Sequence, residues 1–129
     1  MAPADLAFID MSAFQYSDVL SYHHYGKPHE MLETMESLKT LGYPIICTEW
    51  MARVYFECKI EQVFPMFVKH GIGSMHWGLV NGKTQTHIPW GWNPEDGEPA
   101  VWFHDVLHSN GEPYDHHEMK MIKNRRKEQ

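Results

Sequence analysis

The chain has 129 residues, enough for one domain of ordinary size, and 43% of them are apolar, which excludes wholesale disorder. Seventeen acidic residues against eleven basic ones give a net charge of −6, which argues against a nucleic-acid partner. Two cysteines exclude a disulfide framework, and no stretch is long and apolar enough to cross a membrane.

In chain order, Met1-Ala2-Pro3-Ala4-Asp5 has no basic segment leading into an apolar run, so no signal peptide is read there. Residues 4–15 lack a clean period and read as a short helix or loop. Residues 18–25 read as a strand, with Val19, Ser21, His23 and Tyr25 on one face and Leu20, Tyr22 and His24 on the other. Gly26-Lys27-Pro28 turns the chain. Residues 28–41 read as a helix with a stripe of Met31, Leu32, Met35, Leu38 and Leu41. Pro28 suits its first turn, Gly42 its C-terminal stop, and Pro44 prevents resumption.

Pro44-Ile45-Ile46-Cys47-Thr48-Glu49-Trp50 is an apolar strand that ends in an acid. Strand, helix and strand in this spacing form a βαβ unit with a parallel pair. Residues 51–59 read as a loop. Ile60, Val63, Phe64, Phe67 and Val68 repeat at helical spacing up to Gly71, with Pro65 either kinking that helix or starting its regular part. Residues 72–77 read as a third strand. Residues 81–99 form a long loop rich in Gly, Pro and Trp, a length that usually serves function. Residues 100–108 read as helical, and Asn110-Gly111-Glu112-Pro113 as a turn. Asp115 and Glu118 form a capping-box pattern for a last helix carrying Met119 and Ile122. The basic cluster Lys123 to Lys127 reads as a solvated helix end. The alternation βαβαβ implies an α/β fold with a parallel sheet covered by helices.

A carboxylate at the end of a buried strand is costly unless it is paired, hydrogen-bonded or working. In a parallel sheet the C-terminal strand ends lie side by side, which gathers His23 and Tyr25, then Glu49, then Trp77. An acid flanked by imidazole and phenol donors and an indole suits a sugar, whose rings stack on aromatic faces. The plainer reading of Glu49 is a solvated loop acid.

Five segments carry a resemblance. They are Asp18-Val19-Leu20-Ser21-Tyr22-His23-His24-Tyr25, Ile46-Cys47-Thr48-Glu49-Trp50-Met51-Ala52-Arg53, His76-Trp77-Gly78-Leu79-Val80-Asn81-Gly82-Lys83-Thr84-Gln85-Thr86, Trp102-Phe103-His104-Asp105 and Gly111-Glu112-Pro113-Tyr114. In this order they resemble the C-terminal part of the clan A TIM-barrel glycoside hydrolases, of the family 2 and family 5, cellulase-like type. The resemblance implies a partial (β/α)8 barrel: its last three βα units plus C-terminal helices, residues 1–129 forming a single domain that is a C-terminal fragment of a catalytic barrel. It also implies retaining hydrolysis of O-glycosidic bonds in β-linked saccharides. Glu49 matches the nucleophile. Tyr25 matches the tyrosine that donates to it, His23 a histidine lining the subsite, and Trp77 the sugar platform. Lys83, Gln85 and Thr86 match a well-kept stretch without an assigned role. Trp90 and Trp92 either extend the aromatic floor or pin the long loop to the barrel. No cofactor is implied.

In such enzymes a second carboxyl, roughly 5–5.5 Å from the nucleophile, protonates the leaving oxygen. It should sit in an Asn-Glu pair, and this sequence contains none. A full barrel needs about 250 residues. The chain alone is therefore expected to have little or no activity. It is expected to self-associate or to pair with a separately encoded N-terminal barrel half, because an open fragment exposes two sheet edges and the inward faces carrying Val19, Ile45 and Met75. A gene fragment or split coding region would account for Met1. Two other readings compete. Ten histidines, with His104 and His108 four apart and pairs at His23-His24 and His116-His117, suggest a metal-binding module, although the spacing lacks the Glu of a zincin motif. A saccharide-binding remnant without catalysis is the third.

Overall fold

The apolar periodicities settle into three strands and three α-helices in the computed structural model, which describes residues 16–124. The expected helix or loop over residues 4–15 and the end of the basic cluster lie outside the described residues. Strand β1 (Leu20–His23) leads to α1 (Pro28–Lys39), β2 (Ile45–Glu49), α2 (Ile60–His70) and β3 (Gly73–Ser74). A 3-10 turn (Pro94–Asp96) interrupts the long loop that follows, and α3 (His116–Asn124) comes last. The sheet order is β1-β2-β3 and both pairings are parallel.

Local chemistry explains these boundaries. Pro28 occupies the first turn of α1, and the Glu30 carboxylate accepts the Lys27 N–H at 2.7 Å, satisfying an otherwise orphaned donor. Met31, Met35 and Leu38 are the buried stripe. Helix α2 continues past Pro65 without a break and ends at Gly71, whose φ of 65° is left-handed. Ile60, Val63 and Phe67 form its buried face. The β3 ladder is short, yet the parallel track continues through Met75 N–H to the Cys47 carbonyl and Trp77 N–H to the Trp50 carbonyl.

The core lies between the sheet and helices α1 and α2. Leu20 and Cys47 face it from the strands, and Trp50 packs against Phe67 with ring centroids 4.9 Å apart. Truncating a ring such as Phe67 to alanine costs about 3–5 kcal/mol in a core of this kind. The opposite sheet face is open: Val19 and Met75 are each about half exposed. Ile45 departs from the expected inward set, since it is buried in the helix-side core. Its alternation with Ile46 puts it on the Cys47 face.

The segment expected to be helical, residues 100–108, is not. Its backbone donors go to distant carbonyls instead of those four residues back: Phe103 to His87, His104 to Thr86, and Val106 and Leu107 to Leu79. Arg53 claims two of its carbonyls as well. The Arg53 Nη1 donates to the Trp102 carbonyl at 3.2 Å and the Asp105 carbonyl at 3.0 Å. The rest of that guanidinium holds Glu118 in a buried bidentate pair at 2.9 and 2.6 Å. Glu118 thus serves Arg53 and not the expected capping box, while Asp115 alone caps α3 by accepting from His117 and Glu118 N–H. Tyr114 completes the cluster, stacked on Trp102 and lying 4.5 Å beneath the Arg53 carbon.

Removing one partner of such a pair strands a buried charge. Arg53→Ala is expected to cost about 3–5 kcal/mol in urea unfolding, and combined replacement, Arg53→Met with Glu118→Leu, much less. Equal losses in the two proteins would refute this account of how α3 is held.

Candidate functional site

The β2 carboxylate is aimed by a register shift. Tyr22 lies opposite Cys47, but the next residue, His23, lies opposite Glu49. Thr48 is the extra residue, and its hydroxyl donates to the Tyr22 carbonyl at 3.2 Å. Strict alternation would send Glu49 to the buried Cys47 face. The bulge turns it to the open face beside His23.

Two groups meet the carboxylate there. The Tyr25 hydroxyl donates to Glu49 Oε2 at 3.0 Å, and His23 Nδ1 lies 3.3 Å from the same oxygen. The Glu49 side chain is about a quarter exposed and the His23 ring more than half. Burial, and then the bond to Glu49, push the Tyr25 phenol well above its ordinary value, so it keeps its proton and acts as a donor. Burial also pushes the Cys47 thiol up to about 12, despite its contact with the Glu49 carbonyl, and pushes Cys58 up. Neither cysteine is a nucleophile at neutral pH.

Three consecutive carbonyls hold the strand end in place. Glu49 O accepts from His24 N–H at 2.9 Å, Trp50 O from Trp77 N–H at 2.9 Å, and Met51 O from His104 Nδ1 at 2.6 Å. A carbonyl only accepts, so His104 carries its proton on Nδ1. Met51 is fully buried with φ 80°, a left-handed conformation for a side-chain-bearing residue, and the His104 bond pins its carbonyl there. Gly78 lets this packing close: a Cβ at that position would meet the His104 Cβ at 2.6 Å and Asp105 Oδ1 at 2.7 Å.

The structure brings His23, Tyr25 and Glu49 together and adds Trp90. That indole meets the Tyr25 ring edge-on at 5.4 Å, contacts His104, Phe103 and Phe56, and keeps about half its surface open. Trp77 sits at the neighbouring strand end, tied by its backbone, with its ring about half exposed. Trp92 is occupied within its own loop, where Nε1 donates to the Gly97 carbonyl at 2.9 Å. In the stretch containing Lys83, Gln85 and Thr86, the Thr86 hydroxyl donates to the buried Asp105 at 2.5 Å, while Lys83 and Gln85 are exposed. His87 bridges to Glu98 at 2.9 Å across the loop. Sequence reasoning placed Phe103 and His104 in a helix and weighed His104 as a metal ligand; nothing local signals that His104 reaches back 53 residues to Met51.

Histidine placement removes the support for a metal module. His104 and His108 do not share a helix; His108 packs on Trp102, and His116 and His117 are exposed at the start of α3. Among the described residues, no group of three or more His, Cys, Asp or Glu side chains is placed to hold a metal ion. No family model, curated protein or solved structure matches the chain.

Two buried imidazoles make stability pH-dependent. Burial foremost, then the Arg53 charge, lowers both His76 and His104 from the ordinary 6.5. Below that value the unfolded chain binds protons that the folded chain refuses, so folding weakens as pH falls. The urea midpoint is expected to drop from about pH 7.5 to about pH 5.5. A midpoint that stays level or rises over that interval would contradict the buried neutral imidazoles.

Proposed function

We propose that the chain carries the nucleophile half of a retaining glycoside hydrolase site, on a three-strand portion of a (β/α)8 barrel. The observation that supports this best is the Glu49 carboxylate. A bulge turns it out of the core at a parallel strand end, and a protonated Tyr25 and the His23 ring meet one of its oxygens. The resemblance of five segments to clan A glycosidases points the same way.

The chemistry follows from that carboxylate. Glu49 Oε1, the oxygen Tyr25 and His23 do not touch, attacks the anomeric carbon of a β-linked sugar. The C–O bond to the leaving group breaks, and a glycosyl ester forms. Tyr25, donating to Oε2, fixes the rotation of the carboxylate and spreads its charge. Trp77 and Trp90 offer ring surface to the sugar. Proton delivery to the leaving oxygen, and later activation of water, fall to a second carboxyl supplied by a complementary N-terminal barrel half. Covering the open face that carries Val19 and Met75 is the structural counterpart of that requirement, with self-association the outcome when the half is absent.

An activated 2-fluoro glycoside with a dinitrophenyl leaving group needs no acid, so it tests the nucleophile alone. A panel of β-gluco, β-manno and β-xylo reagents is expected to add one glycosyl mass, located on the Glu49 peptide. Glu49→Gln should abolish the adduct, and Tyr25→Phe should slow it about tenfold to a hundredfold. No adduct from any reagent, or an adduct that persists in Glu49→Gln, would overturn the proposal.

A further inference from the structure

The loop after the acid is closed by reciprocal backbone bonds between Ala52 and Cys58, at 2.9 and 3.0 Å. Within it Tyr55 and Glu57 have φ values of 69° and 53°. Glycine adopts that region freely, whereas a bulky aromatic residue there is strained. Burial does not repay Tyr55, because 62% of it is exposed. Its ring meets Phe103 edge-on at 6.3 Å. Phe103 meets Trp90 at 5.0 Å, Trp90 meets Tyr25 at 5.4 Å, and Tyr25 bonds Glu49. An unbroken run of rings therefore leads from the carboxylate to the loop tip. Its two exposed members, Tyr55 and Trp90, are flat aromatic surfaces, not aliphatic ones.

We propose that Tyr55 and Trp90 form an outer saccharide subsite, so that the site takes an extended oligosaccharide and not a lone terminal sugar. The proposal rests on the reading of Glu49 as a glycosidase nucleophile. Pyranose rings present flat C–H faces that stack on such rings, while their hydroxyls remain in water. The strain at Tyr55 is the cost of holding its ring on the sugar path at a position where glycine would relax the backbone.

Binding measured by tryptophan fluorescence, with gluco-, manno- and xylo-oligosaccharides from disaccharide to hexasaccharide, tests this. Affinity of the unaltered chain is expected to rise with ligand length. Tyr55→Phe should keep that rise. Tyr55→Gly should melt at the same or a higher temperature and bind the disaccharide normally, yet lose about tenfold on the hexasaccharide. Affinity that is independent of length, or a Tyr55→Gly protein that binds the hexasaccharide undiminished, overturns the outer subsite. Labelling of Glu49 by the fluoro glycoside in the same preparation reports separately on the nucleophile. A chain that is labelled yet shows either of those outcomes loses only the outer subsite. A chain that neither binds any ligand nor is labelled loses both.

Discussion

Everything at the candidate site depends on the chain's exit from β2, where three successive carbonyls are each claimed by a donor from a different segment. His24 N–H takes Glu49 O, Trp77 N–H takes Trp50 O, and His104 Nδ1 takes Met51 O. Buried carbonyls demand partners, and these partners come from the ends of β1 and β3 and from the segment beyond the long loop. Satisfying them draws the three segments around Glu49. The same bonds let Met51 hold a left-handed backbone angle without glycine, because the surroundings leave its carbonyl one place to go. The site is thus a consequence of backbone satisfaction at one strand end, on which a few side chains act.

A second constraint works at a distance. The Arg53 guanidinium sits four residues past Glu49 and spends its donors on Glu118 and on the Trp102 and Asp105 carbonyls. That choice unwinds what periodicity reads as a helix and extends it past His87 and Thr86. The extension delivers Phe103 to Trp90 and His104 to Met51. A buried ion pair is a poor source of net stability. Its value here is specificity: it fixes which way the segment runs, and through it the floor beneath Tyr25.

The parts of this arrangement legible in the sequence are those written within one element. Met31, Met35 and Leu38 mark α1, Ile60, Val63 and Phe67 mark α2, and Glu49 closes an apolar strand, so the βαβαβ order and the grouping of His23, Tyr25 and Glu49 could be read directly. What could not be read is written between elements. The bulge belongs to the register of two strands and leaves no mark in Thr48 itself. The Arg53–Glu118 pair joins residues 65 apart. Trp102, Phe103 and Val106 imitate helical spacing because their burial is set by Arg53, Trp90 and the core. Histidine counting fails for the same reason: His104 is valued for one carbonyl, and its spacing from His108 is incidental.

The two sheet faces differ in a way that bears on chemistry. On the helix side the apolar side chains are covered. On the other, Val19 and Met75 are about half exposed, and water can reach the Glu49 carboxylate. Water screens that carboxylate and weakens its bonds to Tyr25 and His23. A surface laid across the open face would bury those apolar positions and dry the carboxylate in one event. The local dielectric would fall, and the Tyr25 hydroxyl would orient the charge more firmly. Covering the sheet would then also strengthen the hold on a carboxylate that is already in place. Exposed apolar positions and a half-solvated carboxylate occur together here, so a proposed N-terminal barrel half laid over this face would cover both.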